Sequence, residues 1–532
     1  LTQIQKLVKQ YVAEEKQENW TPGEDWIQYS GPQFTEDEYL AAINAILDGW
    51  LVLGKQGRNF ELEFANFLGK PDGILTNSGS SANLLMMSAL TSNDKYIKKR
   101  WNLSKGDKFI TPVVCFPTTL NPIIQCGFEP VFVDVTLPSL NLDLDQVEEI
   151  LQEDIDFEIK GIIFAHVLGN PPDMDRVQRI VKDYDLVFLE DCCDALGSSY
   201  KGQKLGSFGT MSSCSFYPAH HITMGEGGFV ASNSSKLRQI LASFRDWGRA
   251  CYCASQMPGS VLCKTACGNR FGNWLPQAPE IIYDHRYVFD EIGYNVKPLE
   301  MQAAIGLQQI KKIDQFHLDR QNNFERLTEI FKPYEKYFHL PEAVEGSDPS
   351  WFAFLLTVKE NNLFLRNDFV SHLEKHKIQT RSYFSGNILY HPGCLGFIGS
   401  YVTRKCLERG WMVFGIDKCT YAANEDLLEE FNKFKNFRFE GIDIKDLDKL
   451  YDCDYVINVA AESHVGNSII NSDAFMNSNI IGTKNLLELI RFKPDNVTQR
   501  PVFFHFSTDE VYGDIGTGDH YETDILKPSN PY

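Results

Sequence analysis

The sequence predicts an α/β protein with a mixed, mostly parallel β-sheet in its larger part, followed by a small α+β domain and a Rossmann-type unit. Three observations predict this order. Short β-rich runs alternate with helical stretches between Trp50 and about Ser232, which is typical of a mostly parallel sheet with ligand groups at the strand ends. Long amphipathic helices then occupy residues 298–333. Near Asn387 the strand, glycine-rich turn and helix pattern begins again.

The predicted strands of the first part are short apolar runs bounded by turn residues. They are GILTN at 73, KFITPVV at 108, PVFVDV at 130, GIIFAHV at 161, LVFLED at 186, SCSF at 213 and GFVAS at 228. A helix is predicted to begin at Thr35, because its spacing to Glu38 fits a capping box. We therefore expect a large domain with N-terminal helices over residues 1–297, an incomplete small domain over 298–386, and a truncated Rossmann domain over 387–532.

Composition narrows the class of protein. The chain has 532 residues, of which 43% are hydrophobic and 23% charged, enough for several ordinary domains. It has no apolar run of the ~18 residues that a bilayer span needs, and its first twenty residues are too charged for a signal peptide. We therefore expect a cytoplasmic protein with no membrane partner. The net charge of −20, spread along the chain, argues against a nucleic-acid partner.

Three segments of the large domain together predict a phosphopyridoxal-type site. Gly79 and Ser80 lie where a strand joins a helix, and N–H groups at a helix N-terminus can hold a phosphate. Asp191 ends the strand LVFLED, where a carboxylate can meet a pyridinium nitrogen. The segment SFYPAHHITMGEGG offers Ser215 as another phosphate donor and His220 as a reactive side chain. Taken singly, the three segments also fit a Gly/Ser turn, a surface acid and a core serine.

Residues from about 25 to 390 resemble the sugar aminotransferase and dehydrase family of fold type I, which has the aspartate-aminotransferase fold. The resemblance implies pyridoxamine or pyridoxal phosphate as the cofactor, with Phe116 stacked on its ring. It also implies that Asn295 reaches the cofactor phosphate of the other subunit, and hence a homodimer.

The position of the family's Schiff-base lysine is occupied by His220, and no lysine occurs between Lys204 and Lys236. This difference disfavours transamination. The segment is similar to the subgroup with histidine here, the CDP-4-keto-6-deoxyglucose 3-dehydrases, and an imidazole with an ordinary pKa of about 6.5 suits a general base. The resemblance implies that a nucleotide-diphosphate 4-keto-6-deoxyhexose loses its C3 hydroxyl after His220 removes a cofactor proton. A structural role for His220 is the alternative.

Clustered cysteines predict metal or iron–sulfur ligation, with zinc as the generic alternative. The distance from Cys193 to the C-x-C pair Cys251 and Cys253 resembles the [2Fe–2S] ligand pattern of the iron–sulfur 3-dehydrases. Cys267 is the preferred fourth ligand, because ACGNRFG resembles the sequence around the family's last ligand; Cys263 is the second choice, and loss of the cluster is the third. The resemblance also implies an NADH-dependent flavin and iron–sulfur reductase as partner, and a role in 3,6-dideoxyhexose synthesis for surface polysaccharide.

The last part of the sequence begins with Gly393, Gly396 and Gly399, which have the spacing of a dinucleotide fold. Asp417 ends the next predicted strand at a distance that suits the ribose hydroxyls. Together with AAESHV at 460, SNIIGT at 478 and STDEVYG at 507, this region is similar to the extended short-chain dehydrogenases, specifically the dTDP-glucose 4,6-dehydratases. The resemblance implies NAD as a cofactor of this domain.

By the same resemblance, Thr508, Asp509 and Glu510 handle the substrate and the dehydration protons, and Tyr532 is the tyrosine of a Y-x-x-x-K pair. We expect this second activity to be impaired, because the sequence ends on Tyr532 without the lysine that lowers the tyrosine pKa. Residues 386–393 fit both a late loop of the dehydrase and the first strand of the NAD unit. A fusion, a gene-assembly artefact and a decayed reading frame all remain open.

The sequence thus predicts a lyase-type sugar dehydrase. Two other functions stay open. A nucleotide-sugar aminotransferase with a rebuilt site would form amino sugar from glutamate, and a catalytically dead nucleotide-sugar or NAD-binding remnant would bind CDP-sugar without turnover. The nucleotide of the substrate and the final dideoxy sugar are not fixed by the sequence.

Overall fold

The chain forms two compact units in the computed structural model. One unit comprises residues 1–359 and 364–386, and the other comprises residues 360–363 and 387–532. The structure describes residues 2–15, 20–250, 270–388, 402–407, 409–418, 427, 431–459, 476–492 and 500–505. The predicted domain boundaries after residues 297 and 386 stay predictions.

The first unit is built from short strands and longer helices. Its strands are β1 (Asp72–Thr76), β2 (Lys108–Pro112), β3 (Glu129–Val133), β4 (Ile159–Ala165), β5 (Val187–Asp191), β6 (Ser199–Tyr200), β7 (Gln203–Lys204), β8 (Met211–Ser215), β9 (Gly228–Ser232), β10 (Phe271–Gly272), β11 (Tyr283–Asp284), β12 (Phe338–His339), β13 (Ser347–Asp348) and β14 (Thr357–Val358). Its helices are α1 (Thr2–Glu15), α2 (Glu36–Leu47), α3 (Lys55–Leu68), α4 (Gly79–Leu90), α5 (Lys95–Arg100), α6 (Pro117–Gln125), α7 (Leu144–Glu153), α8 (Met174–Asp183), α9 (Ser235–Arg245), α10 (Glu300–Gln309), α11 (Ile313–Phe331) and α12 (Arg366–Lys375).

A seven-stranded sheet forms the centre of this unit, in the order β1-β9-β8-β5-β4-β2-β3. Strand β9 pairs antiparallel with β1 and β8, whereas the remaining pairs are parallel. Strands β5, β8 and β9 are buried along their whole length, as expected for strands covered on both faces. The predicted mixed, mostly parallel sheet is confirmed, and its strands are those the apolar runs predict.

Side chains at the strand-to-helix turns determine where several helices begin. The Ser78 hydroxyl accepts a hydrogen bond from Ser81 N at the start of α4, and Asp143 and Asp173 cap α7 and α8 in the same way. Such caps satisfy amide groups that have no partner within the helix. They fix the first turn of each helix at the carboxyl end of the sheet, where the site lies.

The helix predicted from Thr35 is α2, and its capping carboxylate has a second role. Glu38 accepts from Thr35 N at 2.8 Å, as the capping box predicts. Its side chain is also fully buried, and it accepts from Lys312 Nζ at 2.6 Å and from Gln309 Nε2 at 2.8 Å. The Lys312 ammonium contributes to lowering the pKa of Glu38, against the effect of burial. Glu38 therefore connects α2 to the last residue of α10 and to the N-cap residue of α11. These two helices are the long helices that the sequence predicts.

An aromatic cluster fixes the site end of β8. The Phe64 ring lies 5.1 Å from that of Phe216 and 4.8 Å from that of Phe229, and it stacks on Phe60 at 5.3 Å. All four rings are fully buried. Phe216 directly follows the last residue of β8. Phe60 and Phe64 of α3, which pack against it, therefore hold the turn that carries the candidate catalytic residues.

A buried ionic cluster joins α3, α9 and β1. Glu61 accepts from Arg245 at 2.9 Å and from both Arg58 and Arg238 at 3.1 Å. Asp72 shares two of these arginines, at 3.1 Å from Arg58 and 3.2 Å from Arg238. Burial opposes the charge on Glu61, but the three guanidinium groups lower its pKa below the ordinary value. The cluster holds together the elements that surround β1 and β9.

The second unit contains two parallel strand pairs. Strand β15 (Val413–Asp417) pairs with β16 (Phe437–Gly441), and β17 (Tyr455–Asn458) pairs with β18 (Val502–His505). Helix α13 (Thr483–Arg491) follows a π-helical turn at Met476–Gly482, and residues 402–407 are helical. Two small apolar clusters pack the unit, around Phe437 and around Leu486. In the described part of the chain, no helix combines the length and the apolar character that a membrane crossing requires.

Candidate active site

The centre of the candidate site is the Asp191 carboxylate at the end of β5. Asn83 Nδ2 and Thr119 Oγ1 each donate to Asp191 Oδ2 at 2.8 Å, and Cys193 N donates to Oδ1 at 3.1 Å. Only 4% of Asp191 is exposed. These donors come from α4, from α6 and from the turn after β5, so three elements fix the orientation of one carboxylate. Such a carboxylate can hold a protonated pyridine nitrogen.

A second corner of the site is shaped for a phosphate. Helix α4 begins at Gly79, and the amides of Gly79 and Ser80 lie in its first turn, where the helix offers them no acceptor. A Cβ atom at Gly79 would lie 2.5 Å from Ser215 Cβ, and one at Gly228 would lie 2.2 Å from the Ser78 carbonyl. Only glycine fits this close approach of backbone and side chains. The helix N-terminus and its dipole suit an anion, so the residues present fit a phosphate-bearing cofactor.

The Cys193 thiol lies in the same corner. A Cβ atom at Gly79 would be 3.0 Å from Cys193 Sγ. Burial and the neighbouring Asp191 carboxylate raise the pKa of Cys193 well above its ordinary value. The group is therefore a thiol at neutral pH, and it would bind as a thiolate only to a metal that displaces its proton.

His220 follows β8 in a turn, next to two candidate partners. Its Nδ1 atom lies 3.6 Å from Asp194 Oδ1, and its ring centroid lies 5.3 Å from that of Phe352. Burial lowers the pKa of His220 to about 4, although the negative charge of Asp191 opposes this effect. The imidazole is thus neutral at physiological pH and can accept a proton.

Asp194 is a site residue that the sequence analysis missed. Burial and the nearby Asp191 charge raise the pKa of Asp194 to about 8, while Arg320 opposes the rise. Asp194 and His220 are therefore both uncharged near neutral pH, and their contact is polar without being an ion pair. Within the described part of the chain, Asp194 Oδ2 and His220 Nδ1 are buried without a hydrogen-bond partner. Asp194 lies three residues after Asp191, at the same strand end. That position is the signal from which the sequence could have predicted it.

The structure describes three further predicted site residues. Phe116 is half exposed at the N-cap of α6, one turn before Thr119. Asn295 is exposed, and its backbone bridges to Asp246. Asp417 ends β15 in the second unit, as predicted.

Several predicted residues lie outside the described residues. They are Cys251, Cys253, Cys263, Cys267, Gly393, Gly396, Gly399, Thr508, Asp509, Glu510 and Tyr532. Among the residues that the structure does describe, His166, Glu190 and Cys192 come close enough to hold a metal ion. Glu190 is already bonded to His166 at 3.1 Å and to Gly206 N at 2.9 Å, so this group stabilises the carboxyl end of β5.

Family comparisons agree with the division into two units. Residues 33–393 match the family described as the DegT/DnrJ/EryC1/StrS aminotransferase family. Residues 392–532 match the family described as GDP-mannose 4,6 dehydratase.

Three individual proteins illustrate the likeness. The lipopolysaccharide biosynthesis protein RfbH of Salmonella typhimurium is 44% identical over 73% of this chain and 86% of its own length. A dTDP-4-dehydro-2,6-dideoxy-D-glucose 3-dehydratase of Saccharopolyspora spinosa is 42% identical over 72% of this chain and 80% of its own. The structure of E. coli GDP-4-keto-6-deoxy-D-mannose-3-dehydratase with bound hydrated PLP superimposes with a TM-score of 0.60, at 28% identity, over 70% of this chain and 89% of that one.

Proposed function

Over residues 33–393 this chain belongs to the DegT/DnrJ/EryC1/StrS aminotransferase family, and from that premise we propose that it removes the C3 hydroxyl of a nucleotide-linked 4-keto-6-deoxyhexose with pyridoxamine phosphate and a [2Fe–2S] cluster. The observation that carries the proposal is the buried, neutral imidazole of His220 beside Asp194, at the position that the resemblance assigns to the family's lysine. Two lysines of the same unit are engaged elsewhere, since Lys70 bonds to Gly209 O at 2.6 Å and Lys204 bonds to Gly197 O at 3.1 Å.

The known relatives support this reaction class. Two of the proteins compared above are named as 3-dehydratases of nucleotide-linked sugars, and one of these was solved with PLP. These relatives are named for dTDP and GDP sugars, whereas the motif around His220 resembles the CDP-dependent subgroup. A CDP-4-keto-6-deoxyglucose substrate is therefore the first to test, with its dTDP and GDP analogues beside it.

Bound pyridoxamine phosphate would supply an amine for the sugar ketone and a ring that stores electrons. The amides of Gly79 and Ser80, with Ser215, would hold its phosphate. Asp191, held by its hydrogen-bond donors, would hold the ring nitrogen, and Phe116 would cover the ring. The close approach of Gly79 to Ser215 and the burial of Asp191 support this assignment.

The His220 and Asp194 pair would move the proton. His220 is neutral, so it can accept a proton at its imidazole. The resulting imidazolium would be stabilised by the negative charge of the nearby Asp191 carboxylate, and it would face the Asp194 carboxyl at 3.6 Å. The pair would then hold one added proton, because Asp194 keeps its own.

A cluster held by Cys193, Cys251, Cys253 and Cys267 would pass single electrons to complete the deoxygenation. This implies a reductase of the NADH-dependent flavin and iron–sulfur class as partner. We also place the enzyme in surface polysaccharide synthesis as a cytoplasmic homodimer, with Asn295 facing the partner subunit's cofactor phosphate. The exposure of Asn295 in the single chain is compatible with that contact.

The first test is the visible absorption of anaerobically purified protein, with pyridoxamine phosphate, before and after dithionite. We expect a red-brown spectrum that bleaches on reduction. The variant Cys193→Ser should lose the colour, whereas Cys126→Ser, a half-buried thiol outside the site, should keep it. A colourless parent protein that still binds the cofactor would exclude the electron-transfer mechanism. Amino sugar formed from glutamate would indicate an aminotransferase, and CDP-sugar binding without turnover an inactive remnant.

For the second unit we propose an NAD-binding Rossmann domain. The parallel pairing of β15 with β16, the position of Asp417 at the end of β15 and the family match over 392–532 support it. NADH fluorescence titration should show binding, and Asp417→Ala should weaken it about tenfold or more, the scale of a lost hydrogen bond to a charged group. Equal affinity of parent and variant would show that Asp417 does not contact the ribose.

A further inference from the structure

Phe352 packs beside the two adjacent histidines of the site. Its ring centroid lies 5.3 Å from that of His220 and 5.9 Å from that of His221. His220 thus has Asp194 near its Nδ1 atom and the Phe352 ring as an aromatic neighbour. The position of Phe352 consequently limits the orientations that the His220 imidazole can adopt.

The chain around Phe352 belongs to no helix or strand, yet its backbone is bonded. Ser350 N donates to Ser198 Oγ at 2.8 Å, and Phe352 N donates to Leu168 O at 2.9 Å. Leu168 follows β4 and Ser198 follows β5, so both acceptors lie in loops after strands of the large sheet. The backbone of residues 350–352 is therefore hydrogen-bonded to these loops and not to its own neighbours in sequence.

Two side chains bond to the three successive carbonyls of this segment. His221 Nε2 lies 2.6 Å from Ser350 O. Arg320 Nη1 donates to Trp351 O at 3.0 Å and to Phe352 O at 3.1 Å. A carbonyl oxygen only accepts, so Nε2 of His221 must carry a hydrogen. Burial and the neighbouring Arg320 charge lower the pKa of His221 well below its ordinary value, so this ring is a neutral donor.

A glycine makes the close approach possible. A Cβ atom at Gly169 would lie 2.7 Å from Ser350 O, and Gly169 has a φ of +93°. Both the space and the backbone conformation exclude a larger residue. The Ser350 carbonyl thus lies between Gly169 and the His221 ring, where a small shift of the chain would break the bond.

We propose that His221 and Arg320 form a carbonyl clamp on residues 350–352, which holds Phe352 beside His220 and so positions the imidazole for proton transfer. The catalytic part of this inference rests on the proposed function of His220. Neither His221 nor Arg320 is placed at the reacting atoms, so both are positioning residues. The clamp itself is a property of the protein without cofactor, and it can be tested there.

The test compares His221→Leu, which has no donor, with His221→Gln, whose amide N–H can reach a similar point. The first readout is the rate at which diethylpyrocarbonate modifies His220 in the apoprotein, followed by mass spectrometry with fragment ions that separate positions 220 and 221. We expect His221→Leu to raise this rate several-fold, because Phe352 no longer shields the ring, and His221→Gln to restore it. In the loaded enzyme, His221→Leu should lower kcat about tenfold, the upper scale of one net hydrogen bond, with substrate KM little changed.

His317→Leu is the matched control, because His317 lies near the same segment but contacts Asp348 instead, at 3.4 Å. It should leave the His220 modification rate unchanged. Phe352→Ala should raise the rate by itself, and His221→Leu should then add little, since both changes act through one ring.

An unchanged modification rate in His221→Leu, with the circular dichroism of the parent, would overturn the clamp. Additive effects of His221→Leu and Phe352→Ala would overturn it as well. If Phe352→Ala is unstable, the comparison of His221→Leu with His221→Gln still decides. If the parent protein shows no dehydrase activity but the modification rates behave as expected, the clamp stands and the proposed function fails.

Discussion

His220→Asn should lower the dehydration rate of the loaded enzyme by roughly 10²- to 10⁴-fold, the usual contribution of a positioned general base. Asparagine keeps a polar group at this position but has no basic nitrogen that can accept a proton. Single-turnover release of the sugar's C3 hydroxyl would measure the effect. Pyridoxamine phosphate should still bind, because the phosphate corner and Asp191 do not depend on the imidazole.

The pH dependence adds an independent readout for the same residue. Burial lowers the pKa of His220 from 6.5 to about 4, and the base acts when deprotonated. The kcat/KM of the parent should therefore stay constant as the pH falls through 6.5 and should decline only at a clearly lower pH. His376→Gln, at the exposed end of α12, should show the same pH dependence as the parent.

If His220→Asn retains more than a tenth of the parent rate, another group removes the proton.

Glu61→Ala should destabilise the first unit by roughly 3–5 kcal/mol, the cost of removing one partner from a buried ionic group. Glu61 is 2% exposed and is the shared acceptor for Arg58, Arg238 and Arg245. Its removal leaves buried guanidinium groups with one carboxylate fewer. The midpoint of urea unfolding, followed by far-ultraviolet circular dichroism, would report the loss.

Glu148→Ala is the matched control for this prediction. Glu148 also bonds to an arginine, Arg176, at 2.9 Å, but both side chains are partly exposed. Pairs of this kind contribute about 0.2–1 kcal/mol, so the unfolding midpoint should move only slightly. Equal shifts in Glu61→Ala and Glu148→Ala would mean that the buried cluster is dispensable for stability.

The fold of the first unit was largely predictable because its signals are local. Each strand of the large sheet is a short apolar run between turn residues, and each cap is a single side chain before a helix. The small sheet of β13, β6 and β7 was not predicted, since strands of two residues carry no periodicity. The pairing of Ser347 with Tyr200 joins distant parts of the sequence, which pattern alone cannot show.

The relative positions of four predicted site residues follow from equally local signals. Gly79, Asp191, Ser215 and His220 lie in local motifs, and the structure brings them to one end of the sheet. Asp194, Arg320 and Phe352 were missed, because their relation to His220 comes from packing and not from spacing. Glu38 was expected only as a helix cap, and its burial depends on α10 and α11, far along the chain. The cysteine ligands after residue 250 and the motifs of the last part stay predictions.

The end of β5 has a consequence for electron delivery. Asp191 and Cys193 are two residues apart, and the Cys193 amide is bonded to the Asp191 carboxylate. An iron–sulfur centre anchored at Cys193, as proposed, would share one short piece of backbone with the group that holds the cofactor ring. The distance over which an electron must tunnel would then be set once, when the chain folds. No domain movement would then have to re-create this distance in each turnover.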